Sequence, residues 1–367
     1  AIYGMGVIVG PTLGPPLGGY IVDRFSWPFI FYINIPIGII AALLTLSFIK
    51  SPKYGVKLKT NQVDWLGIFF LSAFIGSLQF VLEHGQQDDW FNDPVIVTLS
   101  VVSFFGLLFF IWRELTYEHP IVNLRVLKDS NLRIGTIMCF ILGFGLYGST
   151  FIIPIYTQSI LGWSATDAGL LLIPSSITTG IMMPFIGKMI QKGIPQTYLV
   201  AAGFFVFFGF TYWMHLVITP DSGEEHMYWP LILRGVGLGL LFVPITTLSL
   251  STLTGKHIGE GAAFTGMMRQ LGGSFGIAII TTYIARINQE HRVNMIGYLD
   301  TTSFEVQQRV HQLQMGFMSK GYAMNEALAK AYKTLEMMVT QQAAVLTFSD
   351  IFLYLVYLFL FCIPFIL

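Results

Sequence analysis

The 367-residue sequence has few charged residues and almost no cysteine. Only 11% of its residues are Asp, Glu, Lys or Arg, less than half of the roughly 25% that soluble domains carry. The 20 basic and 20 acidic residues balance, so the sequence offers no basic field for nucleic acid. The two cysteines, Cys139 and Cys362, lie inside apolar runs and cannot form a disulfide framework. These deficits exclude a soluble domain, a nucleic-acid-binding protein and a disulfide-stabilised secreted protein.

Sequence signatures of catalysis and of cofactor binding are also missing. The chain has no G-x-x-x-x-G-K-[ST] loop to hold phosphates, and no nucleophile–base pair, metal cluster or dinucleotide fingerprint stands out. We therefore predict a protein that is not an enzyme and has no cofactor. Any work that it performs would draw on an ion gradient such as the proton motive force.

Long apolar runs are abundant. The chain is 54% hydrophobic, its mean hydropathy is +0.67, and a membrane span needs about 20 mainly apolar residues. We predict an all-α integral membrane protein with ten transmembrane helices. They lie at roughly 1–22, 28–49, 64–82, 94–113, 134–157, 166–187, 198–218, 229–252, 262–285 and 347–367. Because both ends of the chain fall inside apolar runs, we interpret it as an internal piece of a longer protein.

Basic residues concentrate in alternate short loops, which predicts the orientation. The eleven residues of this set are Lys50, Lys53, Lys57, Lys59, Arg113, Arg125, Lys128, Arg133, Lys188, Lys192 and Lys256. The opposite short loops contain Arg24 alone, and two of them are acidic. We predict that the basic loops, residue 1 and the C-terminus are cytoplasmic.

The connector 286–346 is long and would face outward. Its segments SFEVQQRVHQLQMGF and NEALAKAYKTLEMMV have apolar residues at helical spacing, and Asn325 is a suitable N-cap. Two interpretations stay open: a helical cap folded on the outer surface, or a docking surface for an external partner.

The first predicted span contains a regular stripe of glycine. Gly6, Gly10, Gly14 and Gly18 recur every four residues and share one side of a helix. Such a stripe lets another backbone approach closely in a membrane, and the interspersed Pro11, Pro15 and Pro16 are tolerated there. We predict a bent helix packed against a partner, with the small-residue-rich span at 166–187 as that partner.

Several motifs follow one another in a fixed order. The first two are Gly14-Pro15-x-Leu17-Gly18-Gly19 and the run Trp27, Phe29, Phe31, Asn34, Pro36 and Gly38. The next are Asp64-x-x-Gly67, Ser77-Leu78-Gln79 and Pro120-Ile121-Val122-Asn123-Leu124. The last are Pro154, Gln158, Gly162, Ala168-Gly169-Leu170, Pro174 and Arg269-x-Leu271-Gly272-Gly273. Together they resemble the drug:proton antiporters of the major facilitator superfamily, in the fourteen-helix branch of the EmrB/QacA type.

This resemblance implies a division of the chain into helices five to fourteen. Residues 1–49 would end the N-terminal bundle, and 50–133 would be a linker with two extra membrane helices. Residues 134–285 and 347–367 would form the C-terminal six-helix bundle, with 286–346 as the extracytoplasmic helical loop. The family's proton-linked acidic residue of helix one would lie outside this sequence.

The resemblance also implies a function: export of amphipathic drugs in exchange for protons, by alternating access, from a bacterial inner membrane. The antiporter motif and hinge would comprise Gly10, Pro11, Gly14, Pro15, Gly18 and Gly19. The expected partners are membrane lipid, small amphipathic drugs and protons, with a periplasmic adaptor protein and an outer-membrane channel in a tripartite pump. Two alternatives stay open: a dedicated exporter or facilitator of one metabolite, lipid or siderophore, and a membrane scaffold or sensor that transports nothing.

Polar residues inside the predicted spans are candidates for the substrate or proton pathway, because burying them in a membrane is costly. For Arg234 and Arg269, a structural ion pair or snorkelling competes with a role in the pathway, and the flanking glycines predict close helix packing in either case. Asp350 fits an interfacial N-cap or a proton-accessible carboxylate, and Asp167 fits an N-cap. Asp23 and Asp64 lie at span ends and are expected to be structural. The uncharged candidates are Asn34, Gln79, Tyr156, Gln158 and Gln270, with an interfacial belt as the alternative for Tyr156.

Overall fold

The computed structural model describes residues 2–48, 64–117, 120, 122–300 and 303–362. Within these ranges every regular element is a helix. The α-helices are α1 (Ile2–Arg24), α2 (Phe29–Tyr32), α3 (Asn34–Phe48), α4 (Trp65–His84), α5 (Pro94–Thr116), α6 (Ser130–Ser159), α7 (Ala165–Leu170), α8 (Ile173–Gln191), α9 (Gln196–Val217), α10 (Glu224–Leu250), α11 (Lys256–Gly297), α12 (Phe304–Ser319) and α13 (Met324–Cys362). The predicted all-helical class is confirmed.

Eight helical segments of the described part are long and apolar enough to cross a membrane. They are Phe29–Phe48, Trp65–His84, Pro94–Thr116, Ser130–Ser159, Ala165–Gln191, Gln196–Val217, Glu224–Leu250 and Met324–Cys362. The other two predicted spans fall in α1 and α11. Both are helical, but they contain a larger share of glycine than the eight segments above, and α11 also contains more charged residues. The predicted count of ten is therefore not confirmed by apolar length, and residues 49–63 and 363–367 lie outside the described part.

Acidic residues begin three of these helices. The side chain of Asp64 accepts a hydrogen bond from the Gly67 amide, and Asp129 accepts one from Leu132. Asp93 accepts two at the start of α5, immediately before Pro94. Each caps amides that have no partner inside the helix. The predicted structural role of Asp64 at a span end is confirmed.

Two predicted N-caps are wrong. Ser164 caps α7, and Asp167 is the reciprocal partner: the Asp167 amide donates to Ser164 Oγ at 3.0 Å, and Ser164 Oγ donates to Asp167 Oδ2 at 2.8 Å. Asn325 lies within the first turn of α13, which begins at Met324. Short polar residues suit both the cap and the first turn, so residue type alone does not distinguish the two positions.

The hydrophobic core lies among the C-terminal helices. Phe204 and Phe207 of α9 meet Phe359 of α13, with 4.6 Å between the ring centroids of Phe207 and Phe359. By contrast, α2 and α3 contain no buried residue.

The predicted connector 286–346 is helical, as expected. It comprises the end of α11, all of α12 and the first half of α13, because α11 and α13 are 42 and 39 residues long and extend well past the predicted spans. α12 packs on α13 through Val310, Ala327 and Ala331, which are buried.

Candidate functional site

Arg234 lies in the middle of α10 and is 1% exposed. Its Nε donates to Ser149 Oγ at 2.8 Å, and its Nη1 donates to Ser175 Oγ at 2.9 Å. Its Nη2 donates to the Leu146 carbonyl oxygen at 3.2 Å and also to Thr150 Oγ1. The guanidinium thus joins α10 to α6 and α8.

This environment contradicts two of the structural alternatives for Arg234 and leaves its role in the pathway a prediction. Full burial contradicts snorkelling, and no carboxylate of the described residues lies within 4.0 Å of the guanidinium, which contradicts an ion pair there. The adjacent Gly235 brings α8 close, because a Cβ on it would lie 2.4 Å from the Ser175 carbonyl oxygen. A buried charge held by hydroxyls and a carbonyl is a costly arrangement, and it marks this crossing of three helices as a candidate site.

Arg269 lies on α11 and is half-buried. Its guanidinium carbon is 4.9 Å from the ring centroid of Phe242 on α10, a cation–π contact. Its backbone takes part in close packing, since a Cβ on Gly143 of α6 would lie 1.9 Å from the Arg269 carbonyl oxygen.

The same packing continues along α6 and α11. A Cβ on Gly272 would lie 2.0 Å from the Phe140 carbonyl oxygen, and one on Gly273 would lie 2.4 Å from the Tyr147 ring. Close helix packing beside Arg269, predicted from these glycines, is confirmed. α11 therefore packs closely along α6, which is itself long and apolar enough to cross a membrane.

Tyr156 is completely buried, although a position near a span end suggested an interfacial belt. Its hydroxyl donates to the Thr219 carbonyl oxygen at 2.6 Å, and its ring packs on Phe348 with 5.5 Å between centroids. The belt interpretation is wrong, because the residue closes the gap between α6 and the end of α9.

Asp350 lies inside α13, so it is not an N-cap. Its Oδ2 is 2.8 Å from His291 Nε2 of α11, and both side chains are partly exposed. Beside this pair, the rings of Tyr283 and Tyr354 are 4.7 Å apart. His291 was missed by sequence reasoning because it lies 59 residues before Asp350, inside the predicted connector.

The remaining polar candidates do not form one cluster in the described part. Gln79 of α4 accepts a hydrogen bond from Ser274 Oγ of α11 at 2.7 Å and donates to Glu83 at 2.6 Å. Asn34, Gln158 and Gln270 are exposed. Gln79 thus links α4 to α11, whereas Asn34 Nδ2 donates to the nearby Ile30 carbonyl oxygen of α2, at 3.3 Å.

The motif helix α1 contacts α7 and α8, so the predicted partner span is confirmed. A Cβ on Gly19 would lie 2.2 Å from the Ala165 carbonyl oxygen, and one on Gly169 would lie 2.6 Å from the Pro15 carbonyl oxygen. We call this backbone contact the α1–α7 junction.

The contacting face of α1 differs from the predicted one. At Gly10, Gly14 and Gly18 no described atom lies within 4 Å of an added Cβ. The close contacts occur one position further along the sequence, which is about 100° around a helix. Pro11 lies in α1, but its side chain is outside the described part.

A hydrogen-bonded carboxylate completes the α1–α7 junction. Asp23 Oδ2 accepts hydrogen bonds from the Thr166 hydroxyl at 2.5 Å and from the Thr166 amide at 2.8 Å. These bonds, the hydroxyl first, hold the pKa of Asp23 below its ordinary value of 3.8. The predicted structural role of Asp23 is confirmed, whereas Thr166 was missed because an isolated threonine carries no sequence signal.

Membrane-length helices that pack through glycine around a buried arginine define a multi-pass helical membrane protein. Residues 1–277 match the Major Facilitator Superfamily. The chain belongs to the major facilitator superfamily, a group of membrane transporters.

Its relatives include named resistance proteins. The chain is 31% identical over 353 residues to the multidrug export protein EmrB of Escherichia coli, covering 96% of this chain and 67% of that protein. It is 32% identical over 365 residues to the fatty acid resistance protein FarB of Neisseria gonorrhoeae, covering 99% and 69%. It is 26% identical over 352 residues to the colistin resistance protein EmrB of Acinetobacter baumannii, covering 95% and 67%. The chain therefore spans about two thirds of the length of these relatives.

Proposed function

We propose that the chain is part of a proton-coupled multidrug exporter that moves small amphipathic compounds out of the cell by alternating access. The relatives are named for multidrug export and for resistance to fatty acids and colistin, which are chemically different compounds. The energy would come from the proton motive force without a cofactor.

The α1–α7 junction is the observation that carries this proposal. It joins residues 15–23 of α1 to residues 165–169 through backbone atoms and one carboxylate. Backbone contacts of this kind can separate and re-form without repacking large side chains. Alternating access needs such a contact between two bundles, because each side must close in turn.

The arrangement across the membrane follows from the loop charges. We place the basic loops, residue 1 and the C-terminus in the cytoplasm and the whole chain in a bacterial inner membrane. The α1–α7 junction then lies at the outward ends of the two predicted spans, with Asp23 just outside the membrane, where it would hold the outer side closed. Residues 1–49 end the N-terminal bundle, 50–133 contain two extra helices, and 134–285 with 347–367 form the C-terminal bundle. This division assigns ten of fourteen helices to the chain.

We also propose a role for α12 and for the outward ends of α11 and α13. Residues 286–346 would dock a periplasmic adaptor protein that connects the exporter to an outer-membrane channel. Exposed apolar side chains on this segment, among them Val293, Phe304 and Met337, supply surface for such a contact.

Asp350 is our candidate for a coupled proton. Its contact with His291 joins α11 to α13 at the outward end, and a carboxylate paired with imidazole can accept or release a proton. Asp350→Asn should abolish proton-driven transport while the protein still inserts. Glu336→Gln is the matched control, because Glu336 contacts a basic side chain too, Arg292, at 2.7 Å, but is more exposed than Asp350. Equal transport by both variants would remove Asp350 from the proton pathway.

The function itself is tested by dye transport into inverted vesicles that contain the full-length protein, with several unrelated amphipathic substrates. Gly19→Ala and Gly169→Ala should each lower the rate about tenfold or more, because overpacking costs roughly 1–3 kcal/mol. Gly180→Ala is the control on α8, since no described atom lies within 4 Å of its added Cβ.

Each other outcome has a distinct meaning. Transport of a single compound would indicate a dedicated exporter. No transport of any substrate would indicate a scaffold or sensor. Wild-type rates in both the Gly19 and Gly169 variants would contradict the role of the α1–α7 junction.

A further inference from the structure

An apolar cavity of about 700 Å³ lies between the helix pair α4–α5 and the helices α6 and α11. Its walls include Leu71 of α4, Leu107 of α5, Phe140 of α6 and Met267 of α11. It opens on the lipid-facing side of α5, where the lining residue Phe104 is 59% exposed. We call it the seam cavity, because the Gln79–Ser274 hydrogen bond crosses the same gap between α4 and α11.

The lining of the seam cavity favours an uncharged hydrocarbon chain as its occupant. No charged side chain lines it, and its two serines already have partners. Ser100 Oγ donates to the Ile96 carbonyl oxygen at 2.7 Å, and Ser103 Oγ donates to the Phe74 carbonyl oxygen at 3.2 Å. A cationic group would find no carboxylate in this lining to balance its charge. An alkyl chain would fit, since phenylalanine and methionine adapt to irregular apolar shapes.

One end of the seam cavity has positive charge beside it. Leu124 and Leu127 line that end and belong to the 3-10 turn Leu124–Lys128, whose two cations, Arg125 and Lys128, are exposed. Arg125 Nη2 donates to the Leu115 carbonyl oxygen at 2.9 Å, which places the guanidinium over the end of α5.

The nearby acidic groups are already engaged within the protein. Asp129 accepts from the Leu132 amide, and Glu114 accepts from the Val122 amide. Glu260 accepts from Asn123 Nδ2 at 3.3 Å and lies 2.8 Å from His257 Nδ1. The two cations therefore offer a site for an anionic headgroup at the end of an apolar cavity that is open to the bilayer.

We propose that the seam cavity binds an acyl chain of an anionic phospholipid whose headgroup lies against Arg125 and Lys128. The lipid fills the gap between the α4–α5 pair and the C-terminal bundle. This site is separate from the α1–α7 junction and does not depend on transport.

Native mass spectrometry of the delipidated full-length protein tests the proposal. The probes are phosphatidylglycerol, phosphatidylcholine with the same chains, and oleate. Wild type should prefer phosphatidylglycerol. Leu107→Trp, which fills the seam cavity, should weaken its binding at least tenfold, about 1.4 kcal/mol. Leu108→Trp is the matched control, because Leu108 is the next residue of α5, is 46% exposed and does not line the cavity.

The headgroup contact has its own variants. The double variant Arg125→Gln with Lys128→Gln should lose the preference for phosphatidylglycerol over phosphatidylcholine. Lys192→Gln should keep that preference, since Lys192 is an exposed cation at the end of α8, away from the seam cavity.

A second measurement covers the case in which Leu107→Trp does not fold. Phosphatidylglycerol should raise the unfolding temperature of wild type but not that of Leu71→Trp, which fills the cavity from α4. Leu66→Trp, at an exposed position of α4 outside the lining, is its control. Unchanged binding in Leu107→Trp or Leu71→Trp, or equal losses in the controls, would overturn the proposal. Tighter binding of oleate than of phosphatidylglycerol would overturn it too, because the occupant would then be a free fatty acid.

Discussion

The crossing of α6, α8 and α10 at Arg234 and the α1–α7 junction hold helices together in opposite ways. At the crossing, one side chain reaches hydroxyls and a carbonyl on two other helices, and it is completely buried. At the junction, glycine lets backbone meet backbone, and the hydrogen bonds of Asp23 with Thr166 are exposed.

This difference indicates that the crossing at Arg234 is a fixed contact, whereas the α1–α7 junction is a contact that can break and re-form. Pulling Arg234 from its partners would leave an uncompensated charge in a dry site, which makes partial separation very unfavourable. Separating the junction exposes backbone and one carboxylate that water can solvate. We therefore expect the crossing to set the stability of the C-terminal helices and the junction to set transport.

The largest expected effect is the loss of Arg234. Arg234→Ala removes its hydrogen bonds and leaves a cavity, so we expect a loss of about 2–4 kcal/mol in unfolding free energy, together with loss of transport. The measurement is thermal unfolding of the purified protein in detergent. Arg309→Ala on α12 is the control, because Arg309 is exposed and its loss should change stability by less than about 0.5 kcal/mol. Equal unfolding temperatures for the two variants would remove the distinction between the crossing and the junction.

The second expected effect sharpens the comparison, because the α6–α11 contact is backbone-to-backbone yet lies among the C-terminal helices that hold the hydrophobic core. Gly272→Ala would place a methyl group 2.0 Å from the Phe140 carbonyl oxygen, and we expect it to cost roughly 1–3 kcal/mol of stability. Gly266→Ala on the same helix has open space around its added Cβ and should be neutral or slightly stabilising. An unchanged free energy of unfolding in Gly272→Ala would show that tightly packed helices of this protein can shift to accommodate a methyl group.

Sequence patterns predicted the helices and the partner of α1 but not the contacting face. The small residues of 166–187 correctly indicated the partner of α1. The four-residue repeat of glycine predicted the wrong face, because no described atom lies within 4 Å of an added Cβ at Gly10, Gly14 or Gly18. Whether Gly18 or Gly19 touches that partner depends on the rotation of the helix about its axis. Both faces of α1 contain glycine, so composition could not fix that rotation.

The candidate site was predictable only in its charged members. Arg234 and Asp350 were identified because a charge within an apolar run is costly and therefore conspicuous. Their partners Ser149, Ser175 and His291 were not, since serine is ordinary in a membrane helix and His291 is distant in sequence. Contacts between helices that are far apart along the chain leave no local pattern.

The smallest expected effect concerns the Asp23–Thr166 hydrogen bonds of the α1–α7 junction. Thr166→Val removes the hydroxyl that donates to Asp23 but keeps the amide bond. Because the contact is exposed, we expect a stability change of less than about 0.5 kcal/mol and a loss of transport of a few-fold, measured as dye uptake in inverted vesicles. Thr98→Val on α5 is the control, since its hydroxyl bonds only within its own helix, to the Pro94 carbonyl oxygen.

The sign of the pH dependence follows from the lowered pKa of Asp23. A carboxylate whose pKa is lowered in the folded protein stabilises it fully above the ordinary value of 3.8 and loses that contribution only as the pH falls through the lowered value. The difference in unfolding free energy between Thr166→Val and wild type should therefore be constant from about pH 5.5 to 8. A difference that changes across that range would mean that another group titrates at the junction, and it would assign the changeable contact a direct part in proton coupling.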